Sequence, residues 1–229
     1  MRISINQPAF IPWLGYFHRI AISDLHIVLD HVQFEKNSYT NRNKIKTKDG
    51  TLWLTVPLNT SGKFGDLAIN KIEVANQIKW QKKITETIKQ FYRKAPFFEQ
   101  YFPFIEDAIL NHEWIEFNAL LKYLNGYFQK ELDIQTPLVY SSEIKTEGTK
   151  SDLVFNLCKQ YNTDTYISGP FGKDYLDHIK FEEAGIHVEY HEYAHPVYPQ
   201  QYTSFVPYMS VIDLLFNCGK ESNEILMLK

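Results

Sequence analysis

The chain opens with RISINQPAFIPWLGYFHRIAISDLHIVLD (residues 2–30), in which several patterns follow one another. Residues 2–6 alternate as a buried strand does. Pro8 and Pro12 stiffen the loop behind them, because proline lacks an N–H and keeps the preceding residue out of the α region. Apolar side chains then recur at helical spacing over residues 16–21, and a second apolar run closes the stretch. This order of strand, stiff loop, helix and strand predicts the first β-α-β unit of a parallel sheet.

The loop after the first strand is a candidate ligand-binding segment. In a parallel α/β sheet it lies at the carboxyl end of its strand and before a helix, where free N–H groups favour anions. We therefore expect Gln7 and Trp13 to contact a substrate. Asp30 ends the second strand at the same edge, and Gln33 follows it, so both are further candidates. We interpret three polar residues of the following segment, Glu35, Asn37 and Ser38, as parts of an exposed loop.

Length and composition limit the function classes. The 229 residues, 44% of them hydrophobic and 15% aromatic, are enough to bury the core of one α/β domain over residues 1–229. A net charge of −3 without a long basic run argues against a nucleic-acid partner. No apolar run approaches the roughly 20 residues of a membrane span and no leader pattern is visible, so we expect a soluble, cytoplasmic protein. Cys158 and Cys218 are interpreted as reduced core thiols.

The middle of the chain predicts a hairpin followed by a helical layer. Residues 42–47 and 52–57 are β-like runs separated by an Asp-Gly pair, which suits a tight turn, and residues 71–74 alternate as another strand does. Residues 77–132 then carry apolar and aromatic side chains at helical spacing, which we interpret as packing faces. We expect this region to form a helical layer or an insertion within the α/β domain.

The α/β rhythm returns from residue 136, with strands expected at residues 136–140 and 165–167 and a helix between them. The second strand leads into the glycine loop SGPFGKD (residues 168–174), whose glycines permit close backbone approach to a phosphate or carboxylate. The loop lacks both the dinucleotide fingerprint and the P-loop ending, so the sequence assigns no cofactor and a simple tight turn is the alternative. Because its position matches the loop after the first strand, we favour anion binding by Ser168, Gly169 and Lys173.

A histidine-containing loop follows the last expected strand, residues 186–190. His191 and His195 are four residues apart, but nearby prolines exclude the helix that would let both bind zinc, so we predict no metal site. His195 lies in a rigid, aromatic segment and is a candidate catalytic or substrate-contacting histidine, with a solvated loop residue as the alternative. An apolar helix is predicted over residues 209–217, stopped by Gly219.

Short motifs along nearly the whole chain resemble the WbqC-like protein family. The resemblance implies an association with bacterial surface-polysaccharide (O-antigen) gene clusters, for whose members a glycine-transferase role has been proposed. The matching segments are Gln7-Pro8, Phe10, Pro12-Trp13-Leu14-Gly15-Tyr16-Phe17, Asp30 with Val32-Gln33-Phe34, Asn41-Arg42-Asn43, Leu54-Thr55-Val56-Pro57, Tyr166-Ile167-Ser168-Gly169, His195-Pro196 with Tyr198 and Gln200, and Asp213-Leu214-Leu215-Phe216-Asn217-Cys218-Gly219.

The amino-terminal order of elements is also similar to the nucleotidylyltransferase and pantothenate-synthetase group. In that group an HxGH signature occupies the first loop, where this chain has Trp13-Leu14-Gly15-Tyr16. The glycine is kept and both histidines are absent, which argues against adenylation while supporting the fold analogy. We therefore expect a Rossmann-like parallel sheet of the nucleotidylyltransferase type, with an antiparallel hairpin and a helical insertion.

Together these features suggest transfer of an aminoacyl group, such as glycyl, or another acyl group to the amine of an amino sugar. His195 would act as base and Asp30 would orient the amine, while N–H groups near Gly15 and Gly169 would stabilise the oxyanion. The partner would be a small molecule, either a nucleotide-sugar or an activated acyl donor. Further substrate contacts are assigned to Tyr16, Gln33, Arg42, Lys173, Tyr198 and Gln200, with Arg42 and Lys173 holding diphosphate.

Two alternatives to this hypothesis stay open at this stage. The same crevice would serve a non-catalytic protein that binds a nucleotide-sugar or another small ligand. It would also serve a nucleotidyl-transfer enzyme with a degenerate HxGH site.

Overall fold

A computed structural model describes residues 1–62, 67–202 and 204–228. Four short 3-10 helices join the longer elements: Ile69–Lys71, Ser141–Glu143, Pro170–Asp174 and Gly219–Glu221. The strands and α-helices are β1 (Arg2–Asn6), α1 (Leu14–Ala21), β2 (Leu25–Val28), β3 (Arg42–Thr47), β4 (Gly50–Thr55), α2 (Trp80–Tyr92), α3 (Phe98–Leu110), α4 (Phe117–Glu131), β5 (Leu138–Tyr140), α5 (Lys150–Gln160), β6 (Thr165–Ser168), α6 (His178–Glu183), β7 (His187–Tyr190), α7 (Val211–Cys218) and α8 (Ser222–Leu226).

Five strands form one parallel sheet in the order β5-β2-β1-β6-β7. The chain winds outward from β1 through β2 to β5, and then crosses back to place β6 on the other side of β1. The winding therefore reverses between β1 and β6, which is where open α/β sheets bind their ligands. This arrangement confirms the predicted Rossmann-like α/β fold.

The antiparallel hairpin is confirmed as a separate two-stranded sheet of β3 and β4. Gly50 takes a φ of +135° at the turn, a conformation that suits glycine, and pairs with Thr47. The returning strand thus begins two residues earlier than predicted. The strand expected over residues 71–74 is absent, because Glu73 and Val74 make isolated bridges to two different segments instead of pairing along one neighbour.

The two faces of the sheet are covered by different layers. Ile3 and Ile5 pack with α5 and α6 on one face, whereas Ser4 lies on the other, where its hydroxyl donates to the carbonyl of Arg19 in α1. Beyond α1, a larger core joins the hairpin to α2, α3, α4 and α7. No helix within the described ranges is long and apolar enough to cross a membrane.

The glycine loop runs into a 3-10 turn (Pro170–Asp174). Pro170 occupies its first turn, and α6 begins only at His178. The carboxylate of Asp177 caps α6 by accepting a hydrogen bond from the backbone N–H of Lys180. The loop is therefore followed directly by a short 3-10 turn and not by the amino terminus of an α-helix.

Candidate functional site

A cavity of about 670 Å³ lies where the winding of the sheet reverses. Its walls come from the end of β1 and the loop after it, the start of α1, the loop after β6, and residues that follow β7. The lining is completed by Leu29, Glu35, Ser38, Tyr39, Thr40, Val154 and Tyr208. The cavity is large enough for a small organic ligand, and it occupies the position expected for one.

Six of the predicted substrate contacts line this cavity. They come from the two loops that follow β1 and β6 and from the start of α1, so segments about 160 positions apart in sequence meet in one place. The six are Gln7, Trp13, Gly15, Tyr16, Ser168 and Gly169.

Asp30 lies outside the cavity lining, in a fully buried polar cluster. One carboxylate oxygen accepts from the backbone N–H of Ser142 (2.8 Å) and the hydroxyl of Ser141 (3.1 Å). The other accepts from Asn118 and from the hydroxyl of Ser142, both at 2.7 Å. Asp30 thereby ties the end of β2 to α4 and to the turn after β5. Its predicted role in orienting an amine stays a prediction.

Three other candidates also lie outside the lining. Gln33 is exposed, and its side chain bonds to two backbone groups of its own neighbourhood. Arg42 places its guanidinium 4.3 Å from the ring centre of Trp53 on the hairpin. Lys173 lies at the cavity edge, where its ammonium pairs at 3.0 Å with Glu192, a residue that does line the cavity.

His195 is half-buried beside the cavity, in contact with the rings of Tyr193 and Tyr208, which line it. Its Nδ1 lies 2.9 Å from the carbonyl oxygen of Pro196, and its Nε2 is buried without a hydrogen-bond partner among the described residues. Burial lowers the pKa of His195 below its usual 6.5. Its role as a base stays a prediction.

Tyr198 and Gln200 belong to a buried network around Asp213. The Tyr198 hydroxyl (2.8 Å) and the Gln200 amide (2.7 Å) both donate to one carboxylate oxygen, and the Tyr92 hydroxyl donates to the other at 2.7 Å. Burial raises the pKa of Asp213, while these donors act against that rise. The network anchors the loop after β7 to α7.

Arg19 is a cavity residue that the sequence interpretation missed. Only 7% of its surface is exposed, and its guanidinium donates to the side-chain oxygen of Asn6 at the end of β1. Its Nε and the Asn6 amide nitrogen are both buried without hydrogen-bond partners, and no carboxylate within the described ranges forms an ion pair with it. Burial lowers the pKa of Arg19 from its usual value. A buried, unpaired cation facing a cavity indicates an anion site.

Gly169 lies against this cation. A Cβ built at Gly169 would come within 2.5 Å of Nη1 of Arg19, so only a glycine leaves room for the guanidinium. The backbone of the glycine loop and the guanidinium therefore share one corner of the cavity. The close approach to Gly169 in the structure is that of the Arg19 guanidinium, and the predicted approach of an anion stays a prediction.

A histidine pair forms a second group that the sequence did not reveal. Nδ1 of His18 in α1 lies 2.8 Å from Nε2 of His191, and the two rings stack with centroids 5.0 Å apart. His191 lines the cavity. Burial and the charge of Arg19 lower the pKa of His191 to about 4, and burial lowers that of His18. Because 173 positions separate the two histidines, no sequence motif links them.

The rest of the lining is largely aromatic, with a carboxylate at its edge. Trp13 and Tyr39 meet with ring centroids 5.0 Å apart, and Tyr166 and Tyr175 lie on the side of β6. Glu35, together with Ser38, lines the cavity rather than lying in a loop remote from it. Its side chain makes no hydrogen bond or ion pair within the part of the chain that the structure describes. Among the same residues, no group of three or more histidine, cysteine or acidic side chains is placed to hold a metal ion.

Comparison with known proteins identifies the family. The model of the WbqC-like protein family matches residues 7–225. The chain is also 31% identical over 226 residues to a protein of Mycobacterium tuberculosis (strain ATCC 25618 / H37Rv) named "Uncharacterized protein Rv1507c", with 98% of this chain and 97% of that protein covered. No solved structure matches significantly. The chain, including both loops that build the cavity, belongs to the WbqC-like protein family.

Proposed function

We propose that the cavity binds a small anionic substrate through Arg19 and transfers its acyl group to an amine. The single observation that carries the proposal is the buried guanidinium, which has no carboxylate partner among the described residues and lies at the carboxyl ends of β1 and β6. Keeping an unpaired cation out of water costs several kcal/mol unless something compensates, and a phosphate or carboxylate of a ligand would do so. Arginine suits such groups because its fork of donors matches their geometry.

The lining supports an acyl or aminoacyl transfer. Forming an amide needs an activated acyl donor, an acceptor for the proton of the amine, and donors for the oxyanion of the tetrahedral intermediate. Arg19 and the backbone beside Gly169 are suited to hold a phosphate of the donor. The carboxylate of Glu35, which has no partner in the described part of the chain, is suited to an ammonium group. The surface-polysaccharide setting implied by the family resemblance favours an amino sugar as acceptor and glycyl as one possible acyl group.

A ligand screen tests the proposal in two stages. Nucleotide-sugars, acyl phosphates and inorganic pyrophosphate would be screened by thermal shift. A ligand at 100 times its Kd adds about 2.7 kcal/mol, or roughly 5–10 °C in Tm for a chain of this size. Arg19→Met should remove that shift, whereas the control variant Arg93→Met, at an exposed position after α2, should keep it. Any stabilising donor would then be incubated with amino sugars and the products examined by mass spectrometry.

The second candidate is a protein that binds a nucleotide-sugar without chemistry. It is favoured by the first loop, where Trp13 and Tyr16 line the cavity at the place of the HxGH histidines. The same loop makes nucleotidyl transfer the weaker alternative. A ligand that stabilises the wild type through Arg19, yet yields no acylated or nucleotidylated product with any donor, would favour the binding function. Loss of the thermal shift in Arg93→Met but not in Arg19→Met would contradict the anion site itself.

A further inference from the structure

The ring of His191 is held in the cavity by contacts on both sides. Its Nε2 lies 2.8 Å from Nδ1 of His18, its backbone N–H donates to the carbonyl of Ser168 at 2.9 Å, and the ring of Tyr193 packs against both imidazoles. The first contact comes from α1 and the second from the end of β6. Two elements on either side of the anion site therefore fix the orientation of His191.

The hydrogen bond between the histidines leaves one nitrogen of His191 available. A bond between two ring nitrogens contains one proton, so in the neutral pair one ring donates and the other accepts. When Nε2 of His191 donates to His18, Nδ1 of His191 has a lone pair. That Nδ1 makes no hydrogen bond within the described residues, and His191 lines the cavity. It is the nitrogen suited to take a proton from a ligand.

The charges that face His191 come from three elements. From α1 it faces Arg19 and His18, and the charge of Arg19 opposes protonation of the imidazole. From its own segment the neighbours are Glu192 and Tyr193, and the carboxylate of Glu192 is paired with Lys173 of the glycine loop. A negative charge bound to Arg19 would cancel the main opposing charge. It would thus make His191 a better proton acceptor only when the site is filled.

We propose that His191 is the proton acceptor of the cleft, that His18 is its positioning residue, and that an anion held by Arg19 activates the pair. The inference rests on the proposed function. As the amine attacks, a bond forms between its nitrogen and the acyl carbon, and the amine proton moves to Nδ1 of His191. The bond from the acyl carbon to the leaving group then breaks, and its electron pair goes with the leaving group. The proton on Nε2 stays in its hydrogen bond to His18, which stabilises the imidazolium.

Linkage makes the proposal measurable without a known substrate. If an anion favours protonation of His191, protonation must favour the anion to the same degree. Inorganic sulfate keeps its charge between about pH 5 and pH 8, so any change in its affinity over that range reports on the protein. We expect sulfate affinity, measured by calorimetry, to rise as the pH falls, by at most about tenfold per pH unit, with uptake of up to one proton from the buffer.

Variants separate the roles of the residues. His191→Gln should bind sulfate with a flat pH profile, whereas His178→Gln, at an exposed histidine that contacts Tyr190, should keep the wild-type profile. His18→Phe should lower the midpoint of the profile because the imidazolium loses its acceptor, and His18→Gln should restore part of it. NMR titration of the His191 ring in the wild type needs no variant and should show a higher midpoint with sulfate than without it.

Two failures are distinguishable. Sulfate that binds through Arg19 with the same affinity at every pH, together with an unmoved NMR midpoint, would overturn the role of His191 and leave the anion site standing. Absence of sulfate binding at every pH would overturn the anion site and this inference together. In Arg19→Met the His191 midpoint should rise without sulfate and should no longer respond to it; an unchanged midpoint there would also contradict the proposal.

Discussion

Replacing Gly169 by alanine tests the anion site directly. Gly169 has a φ of −70°, which any residue adopts, so backbone strain does not oppose the change. The new Cβ would lie 2.5 Å from Nη1 of Arg19, about 0.9 Å closer than the 3.4 Å at which ordinary contacts begin. Because the obstructing atom is the end of a side chain, the guanidinium rather than the strand should move. The anion would lose its donor while the sheet stays intact.

The expected effect on binding follows from the value of one such contact. Hydrogen bonds to charged groups contribute about 1.5–3 kcal/mol, so displacing Arg19 should weaken sulfate or pyrophosphate binding by roughly 10- to 150-fold. The free energy of unfolding should fall by about 1–3 kcal/mol, because the displaced guanidinium gives up its hydrogen bond to Asn6 while the backbone stays unstrained. Calorimetric titration measures the affinity, and urea unfolding measures the stability.

A second glycine provides the matched control. Gly126 lies on the exposed side of α4, and a Cβ built there would meet nothing within 4 Å. Gly126→Ala should stabilise the protein by up to about 1 kcal/mol through helix propensity and leave anion affinity unchanged. If Gly169→Ala binds the anion as tightly as the wild type and Gly126→Ala do, then the guanidinium does not hold the ligand and the reasoning is refuted.

Three further predictions concern buried groups. Burial lowers the pKa of His26 to about 3 from its usual 6.5, so between these pH values the unfolded chain binds a proton that the folded chain does not. The free energy of unfolding, measured in urea, should therefore fall as the pH drops from about 6.5 towards 3. It should fall less steeply in His26→Gln. Tyr92→Phe removes a donor to Asp213 and should cost about 1–3 kcal/mol in the same assay; a smaller loss would mean that water replaces the hydroxyl. Burial raises the pKa of Cys158 to about 12 and of Cys218 to about 11, so a thiol reagent at mildly alkaline pH should modify them only on unfolding, and rapid reaction of the native protein would contradict this.

The fold was predictable where local pattern and topology agree. The alternation of residues 2–6, the prolines behind it and the helical spacing after Gly15 all belong to one short stretch, and the β-α-β rule fixes how such a unit is assembled. The expected strand over residues 71–74 shows where this fails. Alternating apolar and polar side chains indicate a segment with one buried and one exposed face. A strand also needs a neighbouring strand to pair with along its length, and here Glu73 and Val74 bridge to separate segments. The sequence pattern contains no information about that partner.

At the helix starts, too, the sequence indicates the position of an element but not the contacts that it makes. Thr149 and Ser210 are residue types that commonly cap helices, and both occupy N-cap positions, yet neither side chain makes a capping hydrogen bond. The hydroxyl of Ser210 is buried without a partner among the described residues. Residue type therefore indicated where these helices begin, while the hydrogen bonds at each start depend on packing that local sequence does not determine.

The site was only partly predictable for a related reason. Gln7 and Gly169 follow strands, so the rule for parallel sheets brings them to one edge without any knowledge of packing. Arg19 could not be found this way, because an arginine in a short helix is ordinarily exposed, and its burial results from the glycine loop that covers it. The sequence favoured His195 as the functional histidine because of its rigid, proline-containing segment, whereas the histidine that lines the cavity is His191. Its partner, His18, lies at the opposite end of the chain.

The charges around the cavity favour one orientation of the proposed ligand. Arg19, the buried cation of the cavity, and Glu35, its exposed carboxylate, both lack an oppositely charged partner among the described residues. Glu192 lies at the edge as well, but Lys173 offsets its charge. A ligand that is anionic at one end and cationic at the other satisfies both sites, whereas a ligand with two anionic ends would place one of them beside Glu35. An aminoacyl group joined to a phosphate has this polarity, so its phosphate would enter first, towards Arg19 and His191, and its ammonium would stay near the edge.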